Sequence, residues 1–316
     1  MGSQGSFAQE RWGVILAGGD GMRLRPLTRL IAGDDRPKQF CPMLGRETLL
    51  GQTIRRVGPT IPPARTLLVL TRTHERYYSP LLPNLGAVPL VVQPENRGTA
   101  PAILYALLRI AAVAPMAWVA LFPSDHYVSD DRAFMVHVEA AFQALSARPD
   151  LVALLGITPD YPEAEYGWIE PGGLVAWQGP AGLYSVNRFW EKPSASTAKR
   201  LLEEGCLWNS FVMVGRVPTL LGMVERTVPD LFQAFAGIQP APGTPAERAA
   251  TRSLYARLPE VNFSREVLAA SPGNLAVVPV TGVRWSDWGD PSRVLTTLAR
   301  IGHRPAWAQH SLPLPA

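Results

Sequence analysis

Short apolar runs rich in Val, Leu and Ile recur through the first half of the chain, at residues 13–17, 67–71, 90–93, 118–122 and 152–157. Each has the length of a strand, and unbroken rather than alternating hydrophobicity marks a strand buried on both faces. Between them, residues 47–57, 100–114 and 132–147 carry apolar positions at three- and four-residue spacing, the pattern of helices that cover a sheet. The alternation predicts a doubly wound α/β fold. Ligands of such sheets bind outside the carboxyl ends of the strands, so chemistry is expected in the loops after Ala17, Gln93 and Phe122.

Beyond about residue 160 the pattern changes. Residues 166–170, 183–191 and 275–280 read as strands separated by turns, with one helix at 196–204, and this half is expected to form the second wall of a cleft. Residues 237–244, with Pro240 and Pro242, read as a loop, and the end from Pro305 reads as a loose tail. No internal repeat is visible, and the absence of hexapeptide repeats after residue 290 argues against a C-terminal β-helix.

Composition narrows the classes. The 316 residues hold 30 Lys and Arg against 26 Asp and Glu, and 47% are hydrophobic, which fits neither a disordered chain nor a polybasic nucleic-acid tail. The 27 glycines and 31 prolines stay below the share of a low-complexity chain, so the prolines are expected in loops. Cys41 and Cys206 are too few for a disulfide framework, and a reduced cytoplasm is the expected location. The opening MGSQGSFAQE lacks a basic start and an apolar stretch, so no signal peptide is read. Residues 110–123 are too short and too broken by Pro115 to span a bilayer. The pI of about 9.3 permits acidic partners, but the basic residues are scattered, which suits a small phosphorylated ligand as well as nucleic acid.

Four segments carry candidate chemistry. The first is Leu16-Ala17-Gly18-Gly19-Asp20-Gly21-Met22-Arg23-Leu24-Arg25-Pro26-Leu27, directly after the first strand. Its glycines let backbone N–H groups approach a phosphate, and Arg23 adds a charged fork. A dinucleotide-binding turn fails because the third glycine position is Leu24 and Pro26 spoils an ordinary helix start; a P-loop fails because no Gly-Lys-Ser/Thr follows. The plain alternative is a tight strand-exit turn. The second segment is Gln93-Pro94-Glu95-Asn96-Arg97-Gly98-Thr99-Ala100. One carboxylate such as Glu95 can accept from both the N1–H and the N2 amino group of guanine, a donor pair adenine lacks. Alternatively, Glu95 is an ordinary acid near a helix start and Thr99 caps that helix.

The third is Asp125, immediately after the strand ending at Phe122-Pro123, with a second Asp far away in Trp285-Ser286-Asp287-Trp288-Gly289; an Asp at such a place also commonly caps a turn. His126 reads as structural, since a soft ligand suits a hard-metal site poorly. The fourth groups Glu191-Lys192-Pro193 with Tyr166-Gly167-Trp168-Ile169-Glu170 and Trp208-Asn209-Ser210; Glu-Lys-Pro alone is a strand end with a solvated charge pair.

Together with Arg36-Pro37-Lys38-Gln39-Phe40, the glycine-rich run resembles the signature of the sugar nucleotidyltransferases, and its Pro-Lys-Gln-Phe ending is most similar to mannose-1-phosphate guanylyltransferases. One departure is Arg25, where those enzymes commonly carry Trp. The resemblance spans residues 13–289 and implies an α/β, Rossmann-like mixed sheet of the glycosyltransferase-A-like type. It implies one catalytic domain over 12–301, with a nucleotide-binding half at 12–160, a sugar-phosphate-binding half at 161–301, and loose termini at 1–11 and 302–316. By resemblance, Leu16, Ala17, Gly18, Gly19, Gly21 and Met22 wrap the nucleotide, and Arg23 and Lys38 hold its triphosphate. Gln93, Glu95, Arg97, Gly98 and Thr99 read the base, and Asp125 and Asp287 bind Mg²⁺. Gly167, Glu191, Lys192 and Asn209 hold the sugar 1-phosphate.

The catalytic set implied is Arg23, Lys38, Asp125, Lys192 and Asp287, joining GTP to mannose 1-phosphate to give GDP-mannose and pyrophosphate. The attacking oxygen is already anionic, so no general base is needed. Two alternatives stand beside this: the same chemistry with another nucleotide or hexose, such as glucose 1-phosphate, and a non-catalytic paralogue that binds nucleotide sugars. No nucleic acid or membrane partner is expected; a homodimer is compatible with the family.

Overall fold

A computed structural model describes residues 11–178, 181–238 and 243–309. The apolar runs become strands β1 (Arg11–Leu16), β2 (Thr66–Thr71), β3 (Leu90–Gln93), β4 (Trp118–Pro123) and β6 (Val152–Ile157), with a short β5 (Tyr127–Val128) between. The later strands are β7 (Gly167–Gln178), β8 (Ala181–Glu191), β9 (Leu207–Arg216), β10 (Leu275–Val280) and β11 (Trp285–Ser286). Nine of them make one sheet in the order β3-β2-β1-β4-β9-β6-β10-β8-β7, and β5 and β11 pair separately.

Strands β3, β2, β1 and β4 run parallel, as does the pair β6 and β10. The hydrophobic pattern predicts no strand at 207–216, yet β9 lies antiparallel between β4 and β6. The sheet is therefore mixed, and a strand of the second half is built into the first.

Both faces of the sheet are covered. Along β4, Trp118, Ala120 and Phe122 join one buried cluster while Val119 and Leu121 join the other. The first face is covered by α2 (Leu49–Val57) and α4 (Asp131–Ala144), the second by α3 (Thr99–Ala111), as the three- and four-residue spacing predicts.

Other helices overturn expectations. The glycine-rich run continues into α1 (Arg25–Ala32), and α5 (Ala195–Glu203) is followed by α6 (Val217–Thr227), α7 (Pro229–Ala236), α8 (Pro245–Tyr255) and α9 (Pro291–Arg300), where only one helix was expected. The helices α1, α6, α7, α8 and α9 each carry Pro at the first or second position. There the missing N–H is an orphan in any case and the fixed φ suits the helix. Pro26, Pro218, Pro229, Pro245 and Pro291 are thus helix starts rather than loop residues.

Of the loop read at 237–244, residues 239–242 lie outside the described residues. The tail is not loose throughout: Ala306–Gln309 form a 3₁₀ turn, and Trp307 packs on a third cluster of Leu24, Leu27, Trp288, Val294 and Leu298. Among the described residues no helix is long and apolar enough to cross a membrane.

Candidate active site

The site gathers at the carboxyl ends of β1, β3 and β4. Leaving β1, the chain is tied back by Thr71 Oγ1, which donates to the Gly18 carbonyl at 3.0 Å. The Gln39 amide donates to the carbonyls of Ala17 at 3.1 Å and Gly19 at 2.7 Å. A side chain at Gly18 would meet Thr71 Oγ1 at 2.7 Å, so only glycine allows this approach. Asp20 accepts from His74 Nε2 at 3.0 Å and from Asn96 Nδ2 at 2.9 Å, joining the glycine loop to the segment after β3. The His74 contact holds the Asp20 carboxyl below its ordinary range.

That second segment is pinned from the far half of the chain. Ala100 N–H donates to the Val261 carbonyl and Val261 N–H to the Arg97 carbonyl, both at 3.0 Å. The N-cap of α3 is Gly98, not Thr99; the Thr99 hydroxyl instead accepts from Phe263 N–H at 2.8 Å. Glu95 pairs with Arg97 at 2.9 Å, and Arg97 also donates to the Tyr255 carbonyl.

A cavity of about 430 Å³ brings together Leu16, Gly18, Gly19, Gln93, Gly98, Thr99, Asp125, Gly167, Glu191, Asn209 and Asp287. A second, of about 300 Å³, is lined by Gly21, Met22, Arg23 and Lys38 and shares Asp125, His126 and Asp287 with the first. Ala17, Glu95, Arg97 and Lys192 line neither: Ala17 is wholly buried, and Lys192 is half-exposed with Nζ 3.5 Å from Glu165.

The partition between the cavities is electrostatically dense. Lys38 is buried and donates to the carbonyls of Asp287 and, at 3.1 Å, Trp288, with its Nζ 3.5 Å from Asp125. Asp287 accepts from Arg293 at 2.9 Å and from Gly289 N–H at 2.8 Å. Burial alone would raise its carboxyl, but Lys38, His126, Arg293 and that N–H together hold it below the ordinary range. His126, edge-on to Trp285, is pushed down to about 4 by burial and by Lys38, against the pull of Asp125. Burial likewise raises the Glu191 carboxyl, opposed by Lys192 and Arg265.

The chain matches the family model described as nucleotidyl transferase over residues 12–297. It belongs to the nucleotidyltransferase family. It is 31% identical over 297 residues to xanthan biosynthesis protein XanB of Xanthomonas campestris pv. campestris, covering 92% of this chain and 60% of that protein. It is 30% identical over 226 residues to mannose-1-phosphate guanylyltransferase of Escherichia coli K12, covering 70% and 46%. The chain thus spans about half the length of such curated relatives. A crystal structure from Thermus thermophilus, described as mannose-1-phosphate geranyltransferase, superposes with TM-score 0.76 at 30% identity, covering 91% of this chain and 79% of that one.

In this member of the family the non-glycine residues with left-handed φ, among those described, are Lys192 (48°), Phe211 (61°) and Trp288 (47°). All three belong to segments that line the two cavities, and such strain persists only where surrounding structure enforces it. Among the site residues that escaped sequence reasoning are Gln39, Glu165 and Arg293. Gln39 was visible inside the Pro-Lys-Gln-Phe run but carried no role. Glu165 sits 3.5 Å from both Arg23 and Lys192, and only its place beside Tyr166 hinted at it. Arg293 bonds Asp287, Glu163 and Asp290 from the first turn of α9, a position with no motif around it.

Proposed function

We propose that the cleft joins a nucleoside triphosphate to a hexose 1-phosphate, specifically GTP to mannose 1-phosphate, releasing pyrophosphate and forming GDP-mannose. The observation that carries this reading is the meeting of Lys38, Asp125 and Asp287, from three distant segments, at the wall between two adjoining cavities. The lean to mannose and guanine comes from the names of the relatives, since Glu95 lines neither cavity and is paired with Arg97.

Both substrates are polyanions, and each pair of unit charges at 4 Å repels by about 4 kcal/mol at an effective dielectric of 20. Arg23, Lys38 and Lys192 supply the positive charge that offsets this. The sugar-phosphate oxygen is anionic before it attacks the α-phosphorus, so positioning and charge stabilisation suffice. His126, held near 4, is uncharged at neutral pH and adds nothing to that positive charge.

No group of three or more His, Cys, Asp or Glu side chains forms a metal cage among the described residues. Two carboxylates facing a phosphate site nevertheless suit Mg²⁺, which takes one or two protein carboxylates and completes its shell with water and phosphate oxygens. Asp125 fits best, because the one cation near its oxygens, Lys38, stands off at 3.5 Å, and His126, uncharged at neutral pH, at 3.7 Å. Asp287 is held in place by Arg293 beside it. Bound there, Mg²⁺ would neutralise phosphate charge.

Pyrophosphate release measured across five nucleoside triphosphates and the 1-phosphates of mannose, glucose and galactose tests the proposal. A maximum with GTP and mannose 1-phosphate, lost in EDTA, is expected. A maximum elsewhere keeps the chemistry and overturns the specificity; tight nucleotide-sugar binding with no release overturns the catalytic reading.

A further inference from the structure

Strand β9 is irregular where it passes the cleft. Against β6 it pairs Met213 with Leu154 and Asn209 with Gly156, so residues 210–212 of β9 stand opposite the single residue Leu155. The two extra residues form a bulge, and side chains staple it. Ser210 Oγ donates to the Leu155 carbonyl at 2.6 Å and accepts from Val212 N–H at 3.1 Å, while Asn209 Oδ1 accepts from Phe211 N–H at 3.1 Å.

At the apex stands Phe211, with φ 61°. A bulky residue in that conformation is an outlier that persists only where the surrounding structure enforces it. Ser210 and Val212 on either side are buried, whereas Phe211 is half-buried and lines the larger cavity beside Asn209, Gly167 and Glu191. Bulges beside active sites re-aim a side chain. A plain strand would have sent residue 211 into the sheet's regular alternation; the staple turns it to the cleft despite the strain. The same staple occupies Asn209 Oδ1, which leaves Asn209 Nδ2 as the group that donates to a ligand.

We propose that Phe211 is a specificity determinant of the sugar side of the cleft, its ring forming the apolar wall on which the C–H face of a hexose ring rests while Asn209 donates to a ring hydroxyl. The inference rests on the cleft taking a hexose 1-phosphate. An aromatic wall suits this because a pyranose presents one face of C–H bonds and a rim of hydroxyls, so apolar contact and hydrogen bonding are satisfied together. A wall of fixed position also discriminates epimers, whose axial hydroxyls approach it differently.

The test compares the wild-type chain with Phe211→Gly, Phe211→Leu and Phe211→Tyr, measuring kcat and KM for GTP and for each hexose 1-phosphate. The Gly and Leu variants should raise the hexose 1-phosphate KM about tenfold and shrink the preference between hexoses, with the GTP KM within about twofold of wild type. Phe211→Tyr, which keeps the ring face, should restore most of the loss. Phe211→Gly removes the backbone strain, so its folding is favoured even as the ring is lost. Wild-type turnover with unchanged hexose KM and preference in both ring-less variants would overturn the role of Phe211 alone. So would a change confined to the GTP KM. Absence of wild-type turnover with every sugar phosphate would instead overturn the reading of the cleft, and this inference with it.

Discussion

Gly98→Ala perturbs the joint between the segment after β3 and the far half of the chain. Gly98 has φ 86° and ψ −178°, a region essentially confined to glycine, so any side chain costs about 1–3 kcal/mol in backbone strain. An added methyl would also press on the Val261 backbone, 2.9 Å from its carbonyl carbon and 3.0 Å from its nitrogen. Backbone cannot yield as a flexible side chain does. Moving Val261 away breaks its two hydrogen bonds, to Ala100 and Arg97, at about 1 kcal/mol each. The sum is a loss of about 3–5 kcal/mol, read from urea unfolding with the slope held in common. Gly19→Ala is the control: nothing lies within 4 Å of its added methyl, and a change of about 0.5 kcal/mol or less is expected. A Gly98→Ala protein within about 1 kcal/mol of wild type would refute the claim that this contact holds the joint.

Three further outcomes are expected. Arg293→Met leaves Asp287, Glu163 and Asp290 without their shared guanidinium, which should cost about 3–5 kcal/mol in unfolding free energy and move the acidic limb of the activity profile upward, because one cause of the low Asp287 carboxyl is gone. Glu191 titrates above its ordinary range because burial disfavours its charged form, so the folded state binds its proton more tightly than the unfolded chain does. Its contribution is present at low pH and is lost as pH rises through the folded value. Glu191→Gln should therefore stabilise the protein more at pH 7 than at pH 4 in thermal unfolding, while hexose 1-phosphate use falls. Glu165→Gln frees Arg23 and Lys192 from a competing carboxylate, and should lower the KM for hexose 1-phosphate several-fold at low salt and less at high salt; an unchanged KM would show that the carboxylate does not compete.

Where the fold was legible, local pattern and tertiary burial agreed. Residues 90–93, 152–157 and 275–280 became β3, β6 and β10 with the expected limits, because continuous Val and Leu runs have no better place than a sheet covered on both faces. Strand β9 was not legible. Asn209, Ser210 and Phe211 break its alternation, since they form a bulge that serves the cleft rather than the core. Helices that begin on proline were missed because the same residue marks a loop or a helix start, and only packing decides which.

The site shows the same division. Asp125 and Asp287 each stood out locally, but their meeting at Lys38 depends on the whole sheet and entered the sequence reading only through family resemblance. Ala17, Glu95, Arg97 and Lys192 share motifs with cavity residues without lining the cavities, for a motif records neighbours along the chain and not the direction each side chain takes. Arg293 illustrates the converse: an arginine in the first turn of a helix has no sequence mark, yet three carboxylates converge on it.

The most direct test of the central claim is phosphorus NMR of the protein with GTP, mannose 1-phosphate and Mg²⁺. GDP-mannose and free pyrophosphate should appear in equal amounts, and EDTA should abolish both. Orthophosphate with GDP, or GDP with a sugar bisphosphate, would show attack at the γ-phosphorus and contradict it.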